Sequence, residues 1–394
     1  MGNGAGKDKI TIIAGARTAV GRFDGLYREL STADLGIAAA SEALARSGIP
    51  VEMVDEVIMG CIGQVGPESY NARRVALGAG LPQSTTAMNV NRLCGSGLQA
   101  LFSAAQSLSF GATQVVLAGG NESMTNMPYL DYSAGSRRRL GHKKLLNGTL
   151  AMLTDPFSDS HMGTTADNVS AKFKVSRADQ DEFALHSQTL AGLESSRTAF
   201  AEEIISRSLV GAAGQDRDEH PRSGVTLESL ASLKPAFSPS GSATAGNSSG
   251  VNDGAAAMLL AKQSNVDAYG LPALATLEHV VVTAMEPSLM GYAPTYALRR
   301  LFEQTGLTPN DVDLFELNEA FASQALAVIR DSGLDPEKVN PYGGAIALGH
   351  PVGATGAILT LRAAMALHRR DQTFAVVTLC IGGGQAIAAL LKRV

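Results

Sequence analysis

Two rhythms of apolar positions alternate along the first part of the chain. Ile10 to Ala14 is a continuous apolar run of strand length. Ser31 opens a helical segment to about Ser47, with Leu35, Ala38 and Leu44 on one face. Val54 to Met59 reads as a second strand, and Ala87 to Val90 leads into a glycine turn. Leu98, Leu101, Phe102, Ala105 and Leu108 then recur at helical spacing. Val115 to Ala118 reads as a buried strand ended by Gly119-Gly120.

The last third repeats this order. Leu274 to Val282 is strand-like, Tyr296 to Thr305 helical and Val312 to Leu317 a strand. Val339 to Gly349 leads into a glycine turn, and Ala354 to His368 is a helix. Ala375 to Leu379 is a strand ended by Gly382-Gly383-Gly384, and Ala386 to Leu391 is a final strand. SEALARSGIPVEMVDEVIMG echoes RRLFEQTGLTPNDVDLFELN, and VVLAGGNES echoes VVTLCIGGG. A duplicated α/β unit is predicted, its halves packed against each other. Residues 121–250 break the pattern. They are polar and loop-rich, with a helix from Arg177 to Phe200 and a basic run of Arg137, Arg138, Arg139, His142, Lys143 and Lys144. The expected division is residues 1–120 plus 251–271, a loop domain at 121–250, and residues 272–394. An insertion on a rigid scaffold often carries substrate and subunit contacts.

Composition narrows the classes. A chain of 394 residues, 45% hydrophobic and 18% charged, has room for a large core in two or three domains. Its net charge of −5 argues against nucleic acid as a partner. No apolar run has the length of a membrane span, and the first residues lack the apolar core of a signal peptide. Cys61, Cys94 and Cys380 form no CxxC pair, so a reducing, cytoplasmic setting is expected, and the Asn-x-Ser/Thr sequons read as chance. The seven histidines show no metal-ligand spacing, and no metal is expected.

Several residues invite chemistry. Cys94 lies in Asn91-Arg92-Leu93-Cys94-Gly95-Ser96-Gly97, just ahead of a helix. A helix N-terminus favours a thiolate and can lower its pKa, and Gly95 and Gly97 let backbone approach a ligand closely. The competing reading is a small buried hydrophobe at a turn. His350, before Pro351, sits on a glycine-rich turn beyond a strand; it is either a site residue or a cap on the following helix. Cys380 ends a strand before three glycines and is either exposed at the same sheet edge or core, while Cys61 reads as core. Asn318 and Glu319 follow another strand, and Asn318 also suits the cap of a helix from Ala320 to Arg330. Duplication would bring these turns to one face. A thiol, an imidazole, an amide and a second thiol there make a covalent acyl-transfer site. Gly246-Asn247-Ser248-Ser249-Gly250 matches the nucleophile elbow of serine hydrolases, but no strand precedes it and no helix follows.

At these residues the chain resembles the thiolase family, the acetyl-CoA acetyltransferases and 3-ketoacyl-CoA thiolases. NRLCGSGLQA, NEAFA, GGAIALGHPVGATGA and CIGGGQ stand in that family's order and spacing, and the resemblance covers essentially the whole chain. HMGTTADNVS and TAGNSSGVNDGAA are similar to coenzyme A-binding stretches of the biosynthetic type. DPFSDSHMG is similar to bacterial β-ketothiolases that accept acyl chains slightly longer than acetyl. The resemblance implies an α/β fold of five αβαβα layers with an inserted loop domain, assembled as dimers or tetramers. It implies reversible Claisen condensation of two acetyl-CoA and thiolysis of short 3-ketoacyl-CoA, with coenzyme A and acyl-CoA as substrates and no tightly bound cofactor. Cys94 is then the acylated nucleophile, His350 its activator, and Cys380 the acid/base at the α-carbon. Asn318, through a water, and His350 form one oxyanion hole; the N–H groups of Cys94 and Gly382 form the other. Arg222 and Ser249 match coenzyme A contacts. Leu153, His161, Met162, Phe237, Ala245, Met290, Ala320 and Phe321 line the pantetheine path. Tyr342 and Ala293 depart from the family pattern without removing a catalytic group. The rival readings are a thiolase of longer chain preference, a decarboxylating ketoacyl synthase, which lacks the second cysteine, and a non-catalytic acyl-CoA-binding protein.

Overall fold

The computed structural model describes residues 8–111, 113–135, 142–205 and 216–394. Nine strands form the main sheet path: β1 (Ile10–Arg17), β2 (Val54–Gly60), β3 (Thr86–Val90), β4 (Val115–Ser123), β5 (Asn252–Lys262), β6 (Ala275–Ala284), β7 (Leu314–Leu317), β8 (Phe374–Ile381) and β9 (Gln385–Arg393). Their order is β7-β8-β9-β6-β1-β5-β4-β2-β3, with the two-residue strand Gly21–Arg22 added beside β5. Among the described residues, the strands of the two halves pair where Thr11 and Ile12 of β1 meet Thr276 and Ala275 of β6. Within the halves, β2 pairs in parallel with β3 and β4, and β7 with β8.

Helices complete five layers. Outside the first half lie α1 (Thr32–Ser47) and α2 (Asn71–Gly78); outside the second lie α7 (Pro294–Thr305) and α8 (Ala322–Asp331). In the middle, α3 (Ser96–Phe110) packs against α10 (Thr355–Arg369). The intervening region adds α4 (Gly163–Phe173), α5 (Arg177–Gly192) and α6 (Glu194–Glu203), and a short α9 (Ala345–Leu348) precedes His350. Sequence explains these roles. The Ser31–Asp34 capping box starts α1, and Gly48, at φ +66°, stops it. By contrast α10 is buried on almost every side, as a helix between two sheets must be. Gly97 and Gly356 let α3 and α10 meet. A Cβ on Gly97 would lie 2.7 Å from Ala357 N, and one on Gly356 2.4 Å from Leu98 N.

Four local expectations change. The strand from Val115 runs through Gly119-Gly120 to Ser123. Those glycines admit neighbouring backbone, a Cβ on Gly120 standing 2.2 Å from Gly353 O. The helix from Arg177 to Phe200 is two, because Leu193 is extended at ψ 148°. The turn before His350 follows the short helix α9 rather than a strand. Asn318 caps nothing: α8 begins after Phe321, without a side-chain cap.

A buried ionic knot fastens the intervening region to both halves. Arg17 donates to Glu203 at 2.7 Å and to both Asp218 oxygens at 2.7 and 3.1 Å. Phe200 of α6 lies under Arg17 and under Arg362 of α10.

Candidate active site

The Cys94 turn is built by the first residue of α3. Ser96 Oγ accepts the Arg92 N–H at 2.9 Å and donates to Leu93 O at 2.6 Å. Leu93 is held at φ +47°, a left-handed conformation costly for a leucine. This kink sets Cys94, half-buried, at the head of α3. Burial pushes its thiol up to about 11, against the N–H groups of Gly382 and of Cys94 itself, which favour the thiolate. The lowered pKa suggested by the helix terminus is therefore not found, because loss of water outweighs the donors. Gly95 and Gly97 also differ from expectation: a Cβ on Gly95 would strike Ile381, and one on Gly97 the α10 backbone, so both glycines receive protein rather than ligand.

His350 is buried and oriented at three points. Its N–H donates to Asn252 Oδ1 at 2.9 Å. Its Nδ1 lies 2.7 Å from Thr355 Oγ1, which donates its own proton to Pro351 O at 2.9 Å. Thr355 must therefore accept, so the ring proton sits on Nδ1 and Nε2 carries the lone pair. That nitrogen faces Asn318 Nδ2 at 3.4 Å. Burial lowers the imidazole to about 4, so it is a neutral base at neutral pH. Asn318 Oδ1 is buried without a partner among the described residues.

Cys380 ends β8 and is buried; burial first, then the neighbouring Cys94, drives its thiol well above the ordinary value. Gly382 packs against the same turn, a Cβ there standing 3.0 Å from Met162 Cε and 3.2 Å from Leu93 Cδ1. The structure thus brings Cys94 and Cys380 together with Gly382, and Asn318 together with His350, while the Asn318 N–H bonds to Thr378 O of the strand that carries Cys380. Cys61 is buried, as expected of a core thiol.

Most of the expected coenzyme A residues gather beside Cys380. Met162, Phe237, Met290, Ala320 and Phe321 share one apolar cluster with it. His161 stacks on Phe237, which meets Phe321 edge-on. Leu153 O accepts the Met162 N–H at 2.9 Å. Ser249 N–H donates to Ala320 O at 2.9 Å, which brings the strip from Ala245 to Ser249 alongside. Arg222 stands apart: it is exposed and lines an open cleft of about 670 Å³ with Arg197 and Arg217, whose lining includes neither Cys94 nor Cys380. Of the basic run, Arg137, Arg138 and Arg139 lie outside the described residues, and Lys143 pairs with Asp131 at 3.2 Å. Ser248 of the elbow-like motif forms a bridge to Phe321 ahead of β5, with no helix after it.

Sequence reasoning missed the supports. Asn252 and Thr355 orient His350. Glu319 accepts from Ser187 at 2.7 Å, Asn340 at 2.9 Å and the Ile346 N–H of α9 at 3.2 Å, and so fixes the segment leading to His350. Glu122 accepts N–H groups from Ile62 and Gly63. An Asn, a Thr and two Glu buried within apolar strands or at helix starts were the available signal.

Comparison with known proteins agrees with this arrangement. Residues 10–264 match the model of the thiolase N-terminal domain and residues 271–393 that of the thiolase C-terminal domain. The chain is 42% identical to a protein of Cupriavidus necator named beta-ketothiolase BktB, covering 98% of this chain and 99% of that one. It is 43% identical to an acetyl-CoA acetyltransferase of Pseudomonas aeruginosa at the same coverage. Human mitochondrial 3-ketoacyl-CoA thiolase, solved in complex with CoA, superposes with a TM-score of 0.94 at 38% identity over 98% of each chain. With thiolase domain models matched along both halves, and a thiol supplied by each half, the chain belongs to the thiolase family.

Proposed function

We propose that this thiolase condenses two acetyl-CoA to acetoacetyl-CoA, and cleaves short 3-ketoacyl-CoA with coenzyme A, through an acyl group on Cys94. The carrying observation is a Cys94 with two N–H donors at its sulfur and the Cys380 thiol as neighbour, together with a neutral imidazole, His350, whose ring proton is committed to Thr355. His350 Nε2 takes the thiol proton as sulfur attacks the thioester carbon. The oxyanion collects between the N–H groups of Cys94 and Gly382, a preorganised pair worth roughly 3–4 kcal/mol per donor. Collapse expels the coenzyme A thiolate, which recovers the proton from His350. In the second half-reaction Cys380 passes its proton to His350 Nε2 and, as thiolate, takes the α-proton of the next acyl-CoA; its high proton affinity suits so weak a carbon acid. The enolate oxygen accepts from the Nε2–H of the protonated His350 and from a water held by Asn318. The carbanion attacks acyl-Cys94, whose sulfur leaves as thiolate and recovers its proton from His350.

Coenzyme A and acyl-CoA enter as substrates, and no tightly bound cofactor has a step. The apolar cluster of Met162, Phe237, Met290, Ala320 and Phe321 suits a pantetheine arm, with His161, Leu153, Ala245 and Ser249 along it and Arg222 toward the phosphates. The short-chain preference is supported by the relatives named acetyl-CoA acetyltransferase. A homo-oligomer, dimer or tetramer, is supported by β3, an open edge with Met88 exposed, near exposed Tyr70 and Leu77. A cytoplasmic site of action fits three free thiols. Acetyl-CoA should leave one acetyl group on the peptide containing Cys94, read by mass spectrometry; an unmodified peptide under turnover conditions rejects the reading.

A further inference from the structure

We propose that Glu122 is a positioning residue for acyl transfer: its carboxylate ties the turn after β2 to the segment after His350, and so holds Cys94 and His350 at working distance. The proposal rests on the acyl-Cys94 reading. Glu122 lies fully buried on β4. Its Oε1 accepts the Gly63 N–H at 2.9 Å and the Cys61 thiol at 3.7 Å; its Oε2 accepts the Ile62 N–H at 2.9 Å. The Gly353 N–H is a fourth donor. A Cβ on Gly353 would stand 2.4 Å from Oε2, so carboxylate and segment are in direct contact. The other anchor leads to the nucleophile, because the Cys61 N–H donates to Val90 O at 3.1 Å, where β3 ends and the Cys94 turn begins.

Only an ionised carboxylate has acceptor sites for four donors. A protonated or amide side chain gains an N–H or O–H where a backbone donor already points, and one tie must open. Among the described residues no lysine or arginine hydrogen-bonds to Glu122, so burial pushes it up to about 7, with the N–H groups of Ile62 and Gly63 as the main counterweight. The titratable groups nearby are Cys61 and Cys94, which both feel its charge, and Glu68 beside Cys61; Asp253 flanks its cross-strand partner Gly254 on β5, and His350 lies three residues before Gly353. Burial keeps Cys61, Cys94 and His350 uncharged near neutral pH. Asp253 is engaged by Thr125 through both oxygens, and Glu68 is paired with Arg74 at 2.6 Å. Ionisation of Glu122 is thus the change that tightens the frame as pH rises through neutrality.

The test is rapid-quench mass spectrometry of acetyl transfer from acetyl-CoA to Cys94, across pH, on the full chain. The wild-type rate should climb through about pH 7. Glu122→Gln should acylate about 100-fold more slowly at about pH 8, the scale of a misplacement near 1 Å, with the limb near neutrality gone and the KM for acetyl-CoA little changed. A folded Gln variant that keeps the wild-type rate or the limb overturns the proposal. Cys61→Ser gives the carboxylate a stronger donor and should shift the limb to lower pH; it decides the matter alone if the Gln variant does not fold, an unmoved limb overturning the proposal. A wild-type enzyme that never carries acetyl on Cys94 would sink the underlying reading as well.

Discussion

The turn ahead of α3 carries Cys94 in the N-terminal half, and the turn ahead of α10 carries His350 in the C-terminal half. The strands beneath them differ in the same way: β4 presents a strapped carboxylate, Glu122, where β8 ends in a thiol, Cys380. The frames match, down to the glycines at which the two helices cross. What differs is how each side chain is held. Cys94 keeps partial access to solvent and two N–H donors at its sulfur; Cys380 is shut away and has Cys94 as an electrostatic neighbour. The two thiols therefore stand at different places in the duplicated frame, one ahead of a helix and one at a strand end, and under the proposed mechanism the environment of each suits it to attack carbon or to move a proton.

The contrast breaks most completely at the nucleophile. Cys94→Ala should lower condensation and thiolysis by about 10⁴-fold or more while circular dichroism stays unchanged; turnover near the wild-type rate would remove Cys94 from the mechanism. Cys380→Ser separates the two thiols. It should still take acetyl onto Cys94, yet lose condensation by about 10²–10⁴-fold and stop exchanging solvent deuterium into bound acetyl-CoA. Exchange at the wild-type rate would hand the proton-transfer role to another group.

These two residues, with Asn318 and His350, were legible because each stands at a strand end or a glycine-rich turn, which local pattern reveals. Their neighbours were not. Thr355 reads as an ordinary first-turn residue of α10, and only folding shows that its hydroxyl fixes the imidazole tautomer. Asn252 reaches His350 across a long sequence separation, and no periodicity reports such a contact. Glu319 reads from sequence only as the neighbour of Asn318 after a strand, and folding alone shows that its carboxylate is spent on Ser187, Asn340 and Ile346. The glycines of NRLCGSG were legible as close approaches, and what approaches them was not.

Two smaller effects sharpen the comparison. Asn318→Ala removes the amide opposite Nε2 and should cost about 10²–10³-fold in condensation, the scale of one oxyanion donor, with a smaller effect on acylation. Equal losses in both half-reactions would place Asn318 on the Cys94 side instead. For His350, burial lowers the folded pKa from 6.5 to about 4. The unfolded chain therefore binds the proton more tightly, and the stabilising contribution is present above pH 6.5 and lost as pH falls toward about 4. Its full size is about 3 kcal/mol. His350→Asn should flatten the acid limb of the urea-denaturation midpoint; an unchanged limb would assign it elsewhere, His220 being lowered by burial in the same range.

The place of β5 has a consequence for how the chain is made. It pairs with β1 on one side and β4 on the other, yet it begins at Asn252, long after β4 ends at Ser123. On a ribosome, the first half-sheet cannot zip until residue 262 has emerged. Until then the facing edges of β1 and β4 are bare, and a bare strand edge recruits other strands. Closing so long a loop costs little more than closing a short one, but such distant pairing is slow. A nascent chain halted just before Asn252 should therefore be sticky and protease-sensitive, and the release of eleven further residues should be what turns it into a folded half.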